Sequence, residues 1–396
     1  MDSFKSRSSA LAASVAACLA AGATSAVAGG YDTGERDWDF LFQNEPVAAE
    51  ASVRYIHPDR KLSNITGVFG PSVDVSEASP FSIYRASAAM KLSDNARCLA
   101  SYREPWAGHA IYGRNWTYAS SATEQHFSST DLGVTCAVSM PLEKGQISLL
   151  GGWSWQEVSY ELDQFFAVGP GLLATTRVKD SANAWRLGVA YEIQEYALRA
   201  SLIWNSPVDY EMSGTVNNPA AVFNGPVAGS LTMPQSVEAK FQSGIAPGWL
   251  AFGSVKWTDW SVTDNMPLCS TALPIACTIP VAVSGLTLLF KDSWTLTAGA
   301  AHQFNESFSL AGSITWDQGA TQGFTSQTDT WVAGLTAVLT PSRGFEFKLG
   351  GTAGIMTGGS ASTLVLPGGI PNPVGYTATF GDDFVYSLNA SATLRF

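Results

Sequence analysis

After its first 28 residues the chain offers no uninterrupted apolar run of helix-spanning length, which excludes a helical membrane protein. Charge is scarce too. Only 14% of the 396 residues are Asp, Glu, Lys or Arg, low for a soluble protein of this length. The basic sign is the scarcer one, 22 residues against 33 acidic, for a net charge of -11, which argues against nucleic acid as a partner. The four histidines (His57, His109, His126, His302) are scattered, and no Cys/His grouping has metal-ligand spacing. Neither a metal nor another cofactor is expected. An outer-membrane hydrolase would need a nucleophile, a base and an orienting group on one barrel face, and no Ser/His motif supports it.

What is present is glycine (37 residues) and aromatics (13 Trp, 12 Tyr, 20 Phe), the residues of bendable strands and interfacial girdles. The last stretch shows how they are used. From Asp382 to Phe396, Phe384, Tyr386, Leu388, Ala390, Ala392, Leu394 and Phe396 alternate with Ser387, Asn389, Ser391, Thr393 and Arg395. This period of two gives one greasy and one wet face. The aromatic last residue resembles the terminal signature of bacterial outer-membrane barrels, through which insertion machinery would receive the chain.

The amino terminus reads as an export signal, residues 1–28: Lys5 and Arg7, a small apolar run from Ala10 to Ala21, and an A-x-A site at Ala26-Val27-Ala28. Val15-Ala16-Ala17-Cys18 loosely resembles a lipoprotein box, but a better cleavage site follows it. Residues 29–46 are a short polar and aromatic lead-in, either a docked periplasmic tail or a plug entering from below. Residues 47–396 form the barrel.

Strands are expected at Val47–His57, Pro80–Leu92, Asn95–Trp106, Glu124–Met140, Gly145–Leu162, Ala182–Gln194, Tyr196–Glu211, Pro234–Gly244, Trp249–Val262, Lys291–Gln303, Ser307–Gln318, Asp329–Thr340, Phe345–Met356 and Asp382–Phe396. Long connections follow every odd strand and short turns follow every even one. An up-and-down membrane barrel has this asymmetry, while a soluble sandwich or propeller has no reason for it. The fold class is therefore all-β, a membrane-spanning antiparallel barrel of about fourteen strands with a short amino-terminal plug, in the outer membrane among lipid (or detergent once purified), as a monomer.

The lumen-facing parity carries Arg85, Arg97, Arg103, Arg186, Arg199, Lys240, Lys256 and Lys348. Any of these could pair a ligand carboxylate. Four cysteines remain after the signal, an even number in an exported chain. Cys269 and Cys277 share one loop and are expected to bond. Cys98 and Cys136 share the apolar parity of adjacent strands at similar heights, so contact is expected, and a bond if the geometry allows.

The third, fourth, fifth and seventh external connections are unusually apolar. They carry Phe165, Phe166, Leu172, Leu173, Phe223, Leu273, Ile275, Ile279, Val281, Leu286, Leu288, Leu289, Leu364, Val365 and Leu366. Such patches mark a binding surface or cap the barrel. Phe165, Phe166, Leu172, Leu173 and Phe223 are the expected first landing site for a hydrophobic ligand.

The chain resembles the FadL-type outer-membrane transporters of long-chain fatty acids and other hydrophobic compounds. The resemblance rests on Ala51 to Asp59 with Asn64-Ile65-Thr66-Gly67, on Ala184 to Glu192 with Leu202 to Val208, and on Leu231 to Pro234 with Trp257 to Trp260. It spans most of the mature chain diffusely. It implies uptake without nucleotide hydrolysis, the ligand passing from apolar loops to a lumen pocket and leaving sideways through a strand irregularity or down past the hatch. One departure is plain: the family's hatch is longer and carries Asn-Pro-Ala, of which Asn44-Glu45-Pro46 is at best a remnant, so no hatch residue is carried over. A passive porin for small polar solutes is the alternative.

Overall fold

The computed structural model describes residues 29–34, 38–43, 45–167, 171–220, 223–272 and 275–396. The export signal, Asn44 and Leu273 lie outside the described residues. Fourteen antiparallel strands close into a barrel. We number them β1 (Val47–Pro58), β2 (Phe81–Ser93), β3 (Ala96–Arg103, resuming as Ala107–Ile111), β4 (Glu124–Pro141), β5 (Gln146–Phe166), β6 (Leu172–Ile193), β7 (Leu198–Asn205, resuming as Val208–Asn218), β8 (Phe223–Met233, resuming as Ser236–Ala246), β9 (Trp249–Thr258), β10 (Ser293–Asn305), β11 (Phe308–Asp317), β12 (Thr330–Ser342), β13 (Phe345–Met356) and β14 (Asp383–Arg395). The barrel closes where β1 runs against β14, from Ala48 opposite Arg395 to Pro58 opposite Val385. Closure leaves the first and last strands without a free edge for lipid to meet.

The side chains are inside out relative to a soluble protein. Outward stand Tyr84, Leu132, Trp153, Trp185, Leu187, Phe241, Trp294, Trp331 and Leu388, all exposed. Inward and buried stand Arg85, Arg97, Asp131, Arg186, Glu192, Glu238, Glu346 and Lys348. Only a solvent of hydrocarbon makes that arrangement favourable. No helix among the described residues is long and apolar enough to cross a membrane.

Two expected loops are strands. β5 and β6 run for 21 and 22 residues, against the roughly 9–11 that a span needs, and pair up to Phe166 opposite Leu172. Likewise β7 and β8 pair beyond the membrane, up to Asn218 opposite Phe223. These upper halves persist because their inner faces bury Tyr160, Leu162, Val178, Met212, Val216 and Val227 in one cluster.

Three strands are interrupted, and each gap holds a proline: Pro105, Pro207 and Pro234. Proline donates no ladder hydrogen bond. At β7 and β8 the neighbouring upper segments pair again at once. At β3 they do not. β2 pairs with β3 only from Ala86 opposite Tyr102 downward, while Ala107–Ile111 pairs with β4 alone among the described residues. The wall therefore has a gap between Phe81–Arg85 and Ala107–Ile111. It is spanned at the top by Ser79 N–H to the His109 carbonyl at 2.9 Å.

Both cysteine pairs are joined. Cys98–Cys136 has its Cα atoms 4.0 Å apart and Cys269–Cys277 5.5 Å apart.

Candidate functional site

The amino-terminal segment lies within the barrel. Trp38, Phe40 and Leu41 are buried against Leu99, Leu150 and Ile203 of the wall. Asp32 pairs with Lys256 and Asp39 with Lys240. The guanidinium of Arg186 lies 4.7 Å from the Trp38 ring centre, and that of Arg199 4.4 Å from that of Phe42. Higher up, the segment serves as a strand partner where β3 breaks. Thr33 N–H donates to the Pro105 carbonyl and Ala107 N–H to the Tyr31 carbonyl, each at 3.0 Å.

These contacts decide where the six basic residues singled out as carboxylate partners stand. Arg85 pairs with Glu50, Arg103 with Asp131 at 2.9 Å, and Arg199 with Glu192 at 2.9 Å. Arg97 donates to the Glu45 carbonyl, and Arg186 to Asn205 and Thr135 at 3.0 and 2.7 Å. Lys240 holds Asp39. All are committed to wall or plug. The cavities they reach are small, about 40 Å³ beside Arg103 and Arg186 and about 20 Å³ beside Arg199 and Lys240. The remaining two bases are engaged as well, Lys256 by Asp32 and Lys348 by Glu50 and Glu346.

Above them is a much roomier cavity, distinct from the open hollow of about 830 Å³ on the outer face of β1 to β4. It holds about 610 Å³ between the external hairpins, within the range of small-molecule sites. Leu162 and Phe127 from the upper β5 and β4, Met266, Leu286 and Leu288 from the fifth external connection, and Tyr31 from the plug line it. Its wall includes Phe81 and Ala107 to Ala110, the two sides of the β3 gap. It thus faces both the external loops and the opening in the wall.

None of Phe165, Phe166, Leu172, Leu173 and Phe223 lines this cavity. They stand at the hairpin tips. Phe165 packs on the cap around Trp116 and Tyr118 and carries the Arg114 guanidinium at 5.4 Å, while Phe223 packs on the upper cluster. Of the wider set of apolar loop residues, Ile279, Leu286, Leu288 and Leu366 do line it. Val68, Phe69 and Val73 of the first external connection are more exposed than any of the tip residues. They were not singled out because they are spread through a mostly polar stretch.

The polar groups of the cavity were also missed by parity reasoning, since they come from connections. Glu77, Tyr112 and Tyr376 meet there with Arg60. Burial raises the Glu77 carboxyl above its ordinary range, with Ser326, Arg60 and Tyr112 offsetting part of the effect. Burial likewise raises the Tyr112 and Tyr376 phenols, with Glu77 adding to it. Arg60 is spent: it holds Asp383 at 3.0 Å, the Gly381 carbonyl at 3.0 Å, Thr328 at 3.0 Å and the Thr357 carbonyl at 3.2 Å.

A family model described as outer membrane protein transport protein (OMPP1/FadL/TodX) matches residues 163–330, which supply part of the cavity wall. Over that stretch, under half of the chain, the protein is similar to the FadL-type outer-membrane transporters. A FadL homologue of Pseudomonas aeruginosa has the same fold, with a TM-score of 0.76 at 12% identity, covering 97% of this chain and 98% of that one. The P. putida toluene transporter TodX aligns with a TM-score of 0.62 at 13% identity over 93% and 95% of the two chains. The Ralstonia pickettii toluene transporter TbuX gives 0.60 at 13% over 95% and 97%. No curated protein matches in sequence. FadL-type proteins are carriers of hydrophobic compounds and not enzymes.

Proposed function

We propose that the protein takes up long-chain fatty acids and hydrophobic small molecules of similar apolar bulk, without energy coupling. The observation that carries this is the cavity of about 610 Å³ beneath the external hairpins, with a wall that reaches the gap in β3. Cargo first meets apolar groups at the mouth, Phe165, Phe166, Leu172, Leu173 and Phe223 at the hairpin tips together with Phe69. It then enters the cavity, where burial contributes roughly 0.8 kcal/mol per methylene. It leaves sideways between Phe81–Arg85 and Ala107–Ile111 into the lipid, or down past the plug. The names of TodX and TbuX add small aromatic hydrocarbons such as toluene to the cargo worth testing.

Export follows cleavage after Ala28, and β14 with the Phe396 next to it is the element read by the insertion machinery.

The porin reading is disfavoured by the lower lumen. There the cavities shrink to about 40 and 20 Å³ between ion pairs. Uptake of a labelled fatty acid and of toluene would be measured in cells carrying the wild type or Val283→Trp, which fills the cavity from a loop. Loss of uptake at equal surface expression supports the reading. Undiminished uptake, or large stable ion steps in planar bilayers, overturns it.

A further inference from the structure

Resting on the reading of the large cavity as the cargo site, we infer that it selects neutral cargo bearing a hydroxyl group, a long-chain alcohol or a phenol, over the carboxylate of equal chain length.

The argument begins with charge. Among the described residues, the basic side chains on the cavity wall are Arg60 and His109. Both are already matched to acids of the protein. Arg60 is bound by Asp383 and by two carbonyls and a hydroxyl, and its side chain is 4% exposed. His109 Nε2 lies 3.1 Å from Glu124 Oε1. A carboxylate entering the cavity meets no cation in want of a partner. It meets Glu77 instead. A buried anion without a counter-charge is strongly disfavoured, so a fatty acid enters this cavity as the neutral acid, at a cost that a neutral alcohol does not bear.

The second observation concerns Glu77 itself. Its Oε2 is buried with no hydrogen-bond partner among the described residues. Ser326 is the neighbouring hydroxyl, and it offsets part of the rise in the carboxyl's proton affinity. Among the described residues the other oxygen, Oε1, is reached by the Tyr112 hydroxyl, at a long 3.4 Å. Buried polar atoms are ordinarily satisfied, so this carboxyl retains capacity for one further group. A hydroxyl supplies both a donor and an acceptor and suits the carboxyl in either protonation state. Burial raises its proton affinity, which favours the neutral form that can itself donate. The apolar remainder of the cavity, Met266, Val283, Leu286 and Leu288 among others, takes the hydrocarbon.

The test is displacement of diphenylhexatriene from the purified full-length protein in detergent at pH 8, with dodecanol and dodecanoate as competitors. Dodecanol is expected to displace the probe at a concentration about tenfold or more below that of dodecanoate. Glu77→Gln keeps a hydrogen-bonding group and removes the acid, so it is expected to hold dodecanol within about threefold and to narrow the gap. Glu77→Leu should cost dodecanol its advantage over dodecanoate, and the heat-modifiable gel migration of the variant shows that it is folded. Dodecanoate displacing as well as dodecanol in the wild type overturns the inference alone. So does unchanged dodecanol displacement in Glu77→Leu. Probe binding that Val283→Trp leaves untouched overturns the cavity reading, and this inference with it.

Discussion

The carboxylate of Glu104 takes the place of a missing strand: its Oε2 accepts the Tyr84 backbone N–H at 2.8 Å, and its Oε1 accepts the Tyr102 hydroxyl at 2.6 Å. Tyr84 lies on β2 just above the last residue paired with β3, where the ladder stops. In a wall facing hydrocarbon that amide would otherwise have no partner. Glu104→Ala should therefore cost about 1–3 kcal/mol locally. Amide exchange at Tyr84 should quicken while the barrel keeps its heat-modifiable migration on a gel. Unchanged exchange at Tyr84 would mean that another group closes the gap.

A second prediction concerns the lower lumen. Lys348, its side chain 1% exposed, bridges Glu50 at 3.2 Å and Glu346 at 3.3 Å. Glu50 also accepts from Thr393 at 2.9 Å and holds Arg85. Lys348→Met would leave two buried acids short of their shared cation. A loss of about 3–5 kcal/mol is expected, the cost of breaking a buried ion pair. The unfolding midpoint in denaturant, read by the shift in gel mobility, should fall accordingly. A midpoint equal to that of the wild type would show that Arg85 and Arg395 suffice.

Glu77 gives a pH dependence with a definite sign. Its folded proton affinity is raised, chiefly by burial, above that of the exposed group in an unfolded chain. A raised acid contributes stability that is full below the ordinary carboxylate range and is lost as pH rises through the folded value. Arg60 and Tyr112 oppose the rise and Asp383 adds to it. Protection of amides in the first external connection, corrected for intrinsic exchange, should therefore fall with rising pH. Glu77→Gln should flatten the slope. A wild-type slope preserved in that variant would assign it elsewhere.

How far the sequence reached depends on which residues carried the signal. Period-two alternation and loop-length parity located all fourteen strands, and Phe345–Met356 was placed to the residue. Both signals come from lipid, which enforces one greasy face and short periplasmic turns. Above the membrane that enforcement ends. The upper halves of β5 to β8 bury their inner faces against loops, so Phe165 and Leu173 read as loop residues although they pair as strand ends. The break in β3 was written in Pro105, but a proline alone does not say whether the neighbouring strands rejoin. Rejoining occurs at Pro207 and fails at Pro105. The basic lumen residues were visible; their partners were not, because Asp32 and Asp39 lie more than two hundred positions from Lys256 and Lys240. Glu77 had no periodic pattern to mark it at all.

The last prediction ties plug to wall. Gly108 stands in the resumed part of β3, and a Cβ built on it would lie 2.6 Å from Tyr31 Cε1 and 2.7 Å from Cδ1. The Tyr31 ring occupies the space a side chain would need, stacked on Phe127 with ring centres 4.5 Å apart. Its carbonyl meanwhile accepts the Ala107 amide. Gly108→Val must displace the ring, and overpacking of this kind costs about 1–3 kcal/mol. Displacing Tyr31 should loosen the hydrogen bonds of Ala107 and Thr33, since both belong to the same short strand pairing across the gap. Trp38, Phe40 and Leu41 are anchored separately in the lower lumen and should stay protected. Amide exchange is therefore expected to rise at Thr33 and Ala107 and to remain slow at Phe40. If cargo leaves through the gap, release of a preloaded hydrophobic probe into liposomes should quicken in the same variant. Faster exchange at Thr33 with unchanged release would separate the plug from the exit route and direct attention to the path below it.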